Sequence, residues 1–253
     1  DVRRTLPKNA STQRSGSPAC ERVRACRRPT NNWLVSAINM ENEMEFNKES
    51  FAILEKQYRT NLINSVTGFK SANLIGTVDG KGNNNLSIFS SVVHVGANPP
   101  LIGLVMRPVS VVRDSYDNII STGFYTINHV SKEFYKAAHQ TSARYPKGVS
   151  EFEAAGLTPW LSQTVPAPYV AESPVKLGMR FVEMHEIKAN NTIFIVGEIV
   201  EALIPDELIL PDGFIDLEKE GAVAISGIDS YHTTSRLSRL TYAKPGKAPE
   251  EIQ

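Results

Sequence analysis

Cysteine is nearly absent from this 253-residue chain: only Cys20 and Cys26 occur, both close to the start. That excludes a disulfide framework through the body of the chain, and the pair lacks the spacing of a zinc site. A reducing, cytoplasmic setting is the default expectation for such cysteine usage. A surplus of charge is lacking too. Lys and Arg together number 27 and so do Asp and Glu, a formal net charge of zero. Nothing global in the electrostatics therefore supports a nucleic-acid partner or a membrane surface. Long apolar runs are missing: the most apolar stretch, Thr192 to Val200, is interrupted by Glu198 and is far too short to span a bilayer. Both familiar nucleotide loops are missing. Gly76, Gly80 and Gly82 do not make Gly-x-Gly-x-x-Gly, and no Gly-Lys-Ser/Thr phosphate loop occurs. The histidines, at 94, 129, 139, 185 and 232, form no metal-ligand spacing.

What is present is ordinary in bulk. Hydrophobic residues at 41% and charged residues at 21% fit one large globular domain or two small ones. Residues 1–39 read differently. Arg3, Arg4, Lys8, Arg14, Arg22, Arg24, Arg27 and Arg28 face only Asp1 and Glu21, and apolar periodicity is missing. Such a segment cannot bury enough surface to offset its ordering entropy, so disorder is expected. It could be a basic arm for nucleic acid, a targeting peptide without a secretory apolar core, or sequence foreign to the native protein. The third reading is favoured: a dispensable extension, with Met40 as the natural start and residues 40–253 as the domain.

In the body, the period-3.6 stripe Phe51, Leu54, Tyr58 predicts helix within Glu41 to Arg59. Leu62 to Phe69 and Ser71 to Val78 read as strands, and Asp79-Gly80 followed by Lys81-Gly82 as a turn. Leu86 to Val95 is β-rich, and Leu101 to Met106 is a buried strand. A helix is expected from an N-cap at Ser110 to Gly123, followed by a strand over Phe124 to Val130. Lys132 to Ala143 has helical character. Tyr145 to Pro174 is a long excursion with short helices. Lys176 to Ile187 and Thr192 to Ala202 are strands around an Asn190-Asn191 turn, and Ala222 to Ile228 is a final strand. Mostly strands with inserted helices argues for a mainly β, antiparallel barrel rather than a βαβ layered sheet.

The chemistry concentrates between Asn85 and Arg113. The extended segment Asn85, Leu86, Ser87, Ile88, Phe89, Ser90, Ser91 offers backbone donors and acceptors at regular spacing, with hydroxyls on both faces. Arg107 and Arg113 bracket a helix start at Ser110, a ready anion site. This order suits a ligand with a planar ring at one end and a phosphate at the other. Each residue also has a plainer use. Ser90 and Ser91 could face solvent, Ser110 could cap its own helix, and Arg113 could pair with Asp114 or Asp117. Their order within one short span argues for the ligand.

Asn85 to Ser91, then Asn98-Pro99-Pro100-Leu101, Arg107-Pro108, Asn118-Ile119 and Thr122 to Asn128 resemble the flavin reductase-like, FMN-binding split-barrel family. The similarity continues through Ser173-Pro174 and Gly197 to Val200 to the run Gly227 to His232, covering about Leu62 to Leu240. The resemblance implies a six-stranded antiparallel Greek-key split barrel, bound FMN, and a homodimer with the flavin near the subunit interface. Carried over, Asn85 to Ser91 would line the ring edge and ribityl chain, largely through backbone groups. Ser91, Arg107, Ser110 and Arg113 would hold the phosphate, and Tyr231 and His232 would approach the flavin or the nicotinamide. His139 and Arg144 could border the pocket as a lid, or could be plain helix surface.

One departure bears on the reaction. Where many flavin reductases carry Gly-Asp-His before the strand ending here in Val196-Gly197-Glu198, this chain has Asn190-Asn191-Thr192. The first expectation is an NAD(P)H-dependent flavin reductase, with NADH or NADPH as co-substrate. The alternative is a flavoredoxin-like FMN-binding electron carrier without nicotinamide turnover, which the missing histidine favours. A nucleic-acid binder acting through the basic arm ranks last.

Overall fold

The computed structural model describes residues 44–108, 113–146 and 148–252. The basic stretch 1–39 and Ser110 lie outside the described residues. Lys48 to Gln253 form one compact unit. It opens with helices α1 (Lys48–Ile53) and α2 (Lys56–Ser65) and strands β1 (Lys70–Ser71), β2 (Asn73–Val78), β3 (Asn84–Phe89), β4 (Val92–Ala97) and β5 (Pro100–Met106). Then come α3 (Asp114–Thr122), β6 (Phe124–His129), α4 (Tyr135–Gln140), α5 (Glu151–Ala155), and the short strands β7 (Pro159–Trp160) and β8 (Tyr169–Val170). A long hairpin, β9 (Lys176–Ile187) and β10 (Thr192–Leu203), precedes α6 (Leu217–Glu220), β11 (Val223–Ser226) and β12 (Ser230–Thr233).

The main sheet runs in the order β3-β2-β6-β9-β10-β5-β4, with every pair antiparallel. Its two edge strands are consecutive in the chain, separated only by Ser90 and Ser91. At that point the chain leaves β2 and joins β5: the Ser91 carbonyl accepts the Val105 N–H at 3.2 Å, and its hydroxyl donates to the Val105 carbonyl at 2.9 Å. The sheet therefore closes on itself through one bend. Counted as one bent strand, β3 and β4 bring the barrel to the six strands expected. The fold is a mainly β split barrel, with β1, β11 and β12 as a separate small sheet.

The barrel interior is tightly filled. Ile75, Leu104, Tyr125, Ile127, Met179 and Ile195 form one buried cluster, and Leu74, Leu86, Val130, Phe152 and Val170 another outside it. Gly76 is required where a second chain segment crosses β2: a Cβ there would lie 2.1 Å from the Pro168 carbonyl oxygen. At Gly197 a Cβ would meet the Tyr125 hydroxyl at 2.2 Å.

Three expectations are corrected. Leu62 to Phe69 is not a strand. Glu55 caps α2 by accepting the Tyr58 N–H at 2.9 Å, and the helix carries through Leu62 to Ser65. The helix after β5 begins at Asp114 rather than after Ser110, because Arg113, at φ −128° and ψ 89°, is not helical. The end of that helix is as expected, with Gly123 in the left-handed region at φ 74° and its N–H on the Ile119 carbonyl at 2.9 Å. The strand expected over Ala222 to Ile228 is the shorter β11, and β12 follows it.

Candidate functional site

A cavity of about 780 Å³ opens beside β3, walled by Arg107 and Arg113, the start of α3, the segment from His139 to Tyr145, Glu151 of α5, and Tyr231 of β12. Its floor follows from strand pairing. β3 pairs with β2 on one side only, so half of its backbone groups have no strand to bond. Leu86 shows which half. Its N–H points away from β2 and donates to Glu151 Oε2 at 3.2 Å, and period-two alternation directs the Ile88 N–H and C=O the same way. The Leu86 side chain leaves the sheet plane for the core and is fully buried.

Side chains on β3 are tied to α3. Asn85 Nδ2 donates to Ser115 Oγ at 2.9 Å and to Thr77 Oγ1 at 3.3 Å, and Ser115 Oγ donates to Ser87 Oγ at 3.3 Å. This small network fixes the helix start against the strand. Ile88 and Phe89 contribute half-buried apolar surface, and Ser90 and Ser91 form the bend at the cavity wall. The Ser91 hydroxyl donates its one proton to the Val105 carbonyl, so in this rotamer it has none to offer an anion.

Arg107, Arg113 and Arg144 all line the cavity, and among the described residues none of them pairs with an acid. Arg113 Nε reaches the Pro108 carbonyl at 3.5 Å, which aims the guanidinium rather than neutralising it. Arg144 and His139 are cavity residues and not merely helix surface. His139 Nδ1 lies 3.0 Å from the Tyr231 hydroxyl, and Tyr231 also packs on Tyr135 with ring centroids 5.3 Å apart. Burial, with the Asp229 carboxylate adding, pushes the Tyr231 hydroxyl up to about 12.

The residues singled out from the sequence do not all converge. Asn85, Ser87 to Ser91, Arg107, Arg113 and Tyr231 line one cavity. Leu86 contributes only its backbone. His232, next to Tyr231 on a strand, turns to the opposite face. Its Nε2 sits 2.8 Å from Ser226 Oγ and 3.1 Å from Ser230 Oγ, and its ring meets Phe69 edge-on at 4.9 Å. Thr192 is not a cavity residue either; its Oγ1 donates to Asn190 Oδ1 at 2.7 Å, within the β9–β10 turn.

Sequence reasoning missed Glu151. It sits at the start of a five-residue helix inside the excursion from Tyr145 to Pro174, and no local pattern distinguishes it from a surface acid. Removal from water, with some repulsion from Asp114, raises its carboxyl above the ordinary glutamate range. No group of His, Cys, Asp and Glu among the described residues could hold a metal ion. Nor is any described helix long and apolar enough to cross a membrane.

The flavin reductase like domain family model matches residues 66–213. Among solved structures, the chain resembles a provisionally named flavin reductase with split barrel domain from Shewanella frigidimarina NCIMB 400. The two are 52% identical with a TM-score of 0.77, over 79% of this chain and 100% of that one. Two more distant likenesses concern the fold alone. Nitrilotriacetate monooxygenase component B from Bacillus cereus is 20% identical with a TM-score of 0.69, over 78% of this chain and 98% of that one. Flavoredoxin of Desulfovibrio vulgaris (Miyazaki F) is 22% identical with a TM-score of 0.59, over 72% and 93%.

Proposed function

This chain belongs to the flavin reductase-like family, and from that premise we propose that it is an FMN-dependent oxidoreductase using NADH or NADPH. The observation that carries the reading is the meeting, in one cavity, of an unpaired strand edge and three guanidiniums without acid partners among the described residues. The strand edge offers alternating N–H and C=O groups to the rim of a flat heterocycle. Arg107 and Arg113 offer charge-assisted donors to a phosphate. Ser110, which lies outside the described residues, is proposed to join them. When bound, FMN supplies the hydride-accepting chemistry. The chain's part is to orient, to exclude water with Ile88 and Phe89, and to present fixed backbone dipoles to the ring. Tyr231 would border the nicotinamide side. His232 would act there only through the strand it shares with Tyr231.

A homodimer is part of this proposal. Val93 and Val95 on β4 and Val182 and Met184 on β9 are all more than two-fifths exposed, an apolar surface that a second copy would cover.

Titration with FMN tests the reading. Uptake near one flavin per chain, giving yellow protein, supports it; colourless protein at saturating FMN overturns it. Steady-state oxidation of NADH or NADPH by the yellow protein then tests the donor. Bound flavin with turnover from neither would leave the electron-carrier reading, which Thr192 in place of a histidine supports.

A further inference from the structure

Among the described residues, Glu151 is the one acid that bonds the unpaired edge of β3. Phe152, fully buried beside Leu86 in the same cluster, anchors α5 against that strand. The carboxylate is thereby held where Leu86 N–H can donate to it at 3.2 Å. It faces a cavity proposed above to admit an anion. Among the described residues, the cations around that cavity are Arg107, Arg113 and Arg144. Among them Asp114 is the other acid, and His139, Tyr145 and Tyr231 complete the described titratable groups.

We propose that Glu151 is the proton-carrying group of the flavin pocket: its carboxyl takes up a proton from solvent when FMN binds, and then meets the ring edge as a neutral acid. The inference rests on the flavin reading above. Three changes on binding act in one direction. A ring against β3 removes water from a carboxyl already half-buried. A phosphate on Arg107 and Arg113 adds negative charge to the cavity that Glu151 lines, which disfavours the carboxylate. Electron-rich ring oxygens near Leu86 N–H compete for the donor that stabilises the charge. Burial has already moved this carboxyl toward its neutral form, so little more is needed. A neutral acid can donate a hydrogen bond to the ring, whereas a carboxylate would oppose the negative charge that reduction adds.

Calorimetric FMN titrations in two buffers of different ionisation enthalpy count the protons exchanged. At about pH 6.5, above the ordinary glutamate range, the unaltered protein should take up more protons per flavin than Glu151→Gln, by a difference approaching about one. The second ionisation of the phosphate contributes equally to both and cancels. Equal proton counts overturn the inference while leaving FMN binding intact; no binding heat in the unaltered protein overturns the flavin reading and the inference together. A second measurement needs no variant. The infrared difference spectrum on adding FMN should gain the carbonyl band of a protonated carboxylic acid that shifts in D₂O. Absence of that band also sinks the proposal.

Discussion

Strand β10 has partners on both sides, β9 and β5, while β3 has β2 on one side and, among the described residues, none on the other. Their residues differ accordingly. Ile193, Ile195 and Val196 of β10 are buried among other apolar side chains, and Gly197 is fitted under the Tyr125 hydroxyl. On β3 the polar Asn85 and Ser87 are wired to α3, and the Leu86 N–H reaches a carboxylate instead of a strand. Full pairing makes a wall in which every backbone group is satisfied from within; a missing partner makes a surface that can recognise something. Chemistry collects where the ladder stops.

The sharpest way to break this contrast is to overfill the wall. Gly76→Ala puts a Cβ 2.1 Å from the Pro168 carbonyl oxygen and 2.6 Å from Thr126 Oγ1, and backbone on one side cannot yield cheaply. A loss of about 3 kcal/mol or more is expected, read as a steep fall in Tm or in folded yield. An alanine variant with unchanged melting would contradict the close approach of Pro168 to β2.

On the open side the expected losses concern binding and not folding. Arg107→Ala and Arg113→Ala should each weaken FMN about 10- to 100-fold, as befits a lost charged hydrogen bond of about 1.5–3 kcal/mol. Riboflavin, lacking the phosphate, should bind the variants and the unaltered protein alike. Thermal melting without flavin should stay unchanged, because neither arginine pairs with an acid among the described residues.

A smaller effect should have the opposite sign. Tyr125 Oη is buried in the barrel without a hydrogen-bond partner among the described residues, and burial holds its pKa above the ordinary tyrosine value. Tyr125→Phe should therefore stabilise the fold by about 1 kcal/mol, raising Tm by about 2–4 °C. A drop in Tm would mean that the hydroxyl has a partner.

The smallest effect belongs to Glu151 in the flavin-free protein. Its folded carboxyl titrates above its unfolded value, so its contribution to stability is fully present below the unfolded pKa and is lost as pH rises through the folded one. Glu151→Gln keeps an acceptor for Leu86 N–H but removes that titration. Its Tm relative to the unaltered protein should rise from acid to neutral pH, by about 1–2 °C. A flat difference across that range would remove the raised carboxyl.

Much of the wall was legible in the sequence. The strands expected over Lys176 to Ile187 and Thr192 to Ala202 around Asn190-Asn191 are the long hairpin, and Gly123 marks a helix end. The turn after β2 was legible as well: Asp79 Oδ1 accepts from the Lys81 and Asn83 N–H groups, both at 2.8 Å. Local pattern failed in two ways: at a helix whose start signal lies a few residues upstream, and where distant chain decides. Leu62 to Ser65 is helical because the helix capped at Glu55 continues through them. The span from Asn85 to Arg113 reads as a site segment, and most of its described candidate residues line one cavity, yet which edge of β3 is open follows from sheet order, and no window of residues contains it. Glu151 and His139 come from segments 65 and 92 residues away from their partners Leu86 and Tyr231. His232 shows the converse: nearness in sequence to Tyr231 put it on the wrong face of a two-residue period.

The most direct test of the account is a crystal structure of the chain with FMN. The account predicts a phosphate within hydrogen-bond distance of Arg107 or Arg113 and a ring edge against the outward backbone of Ile88. Flavin bound anywhere else, or a phosphate that neither arginine touches, would contradict it.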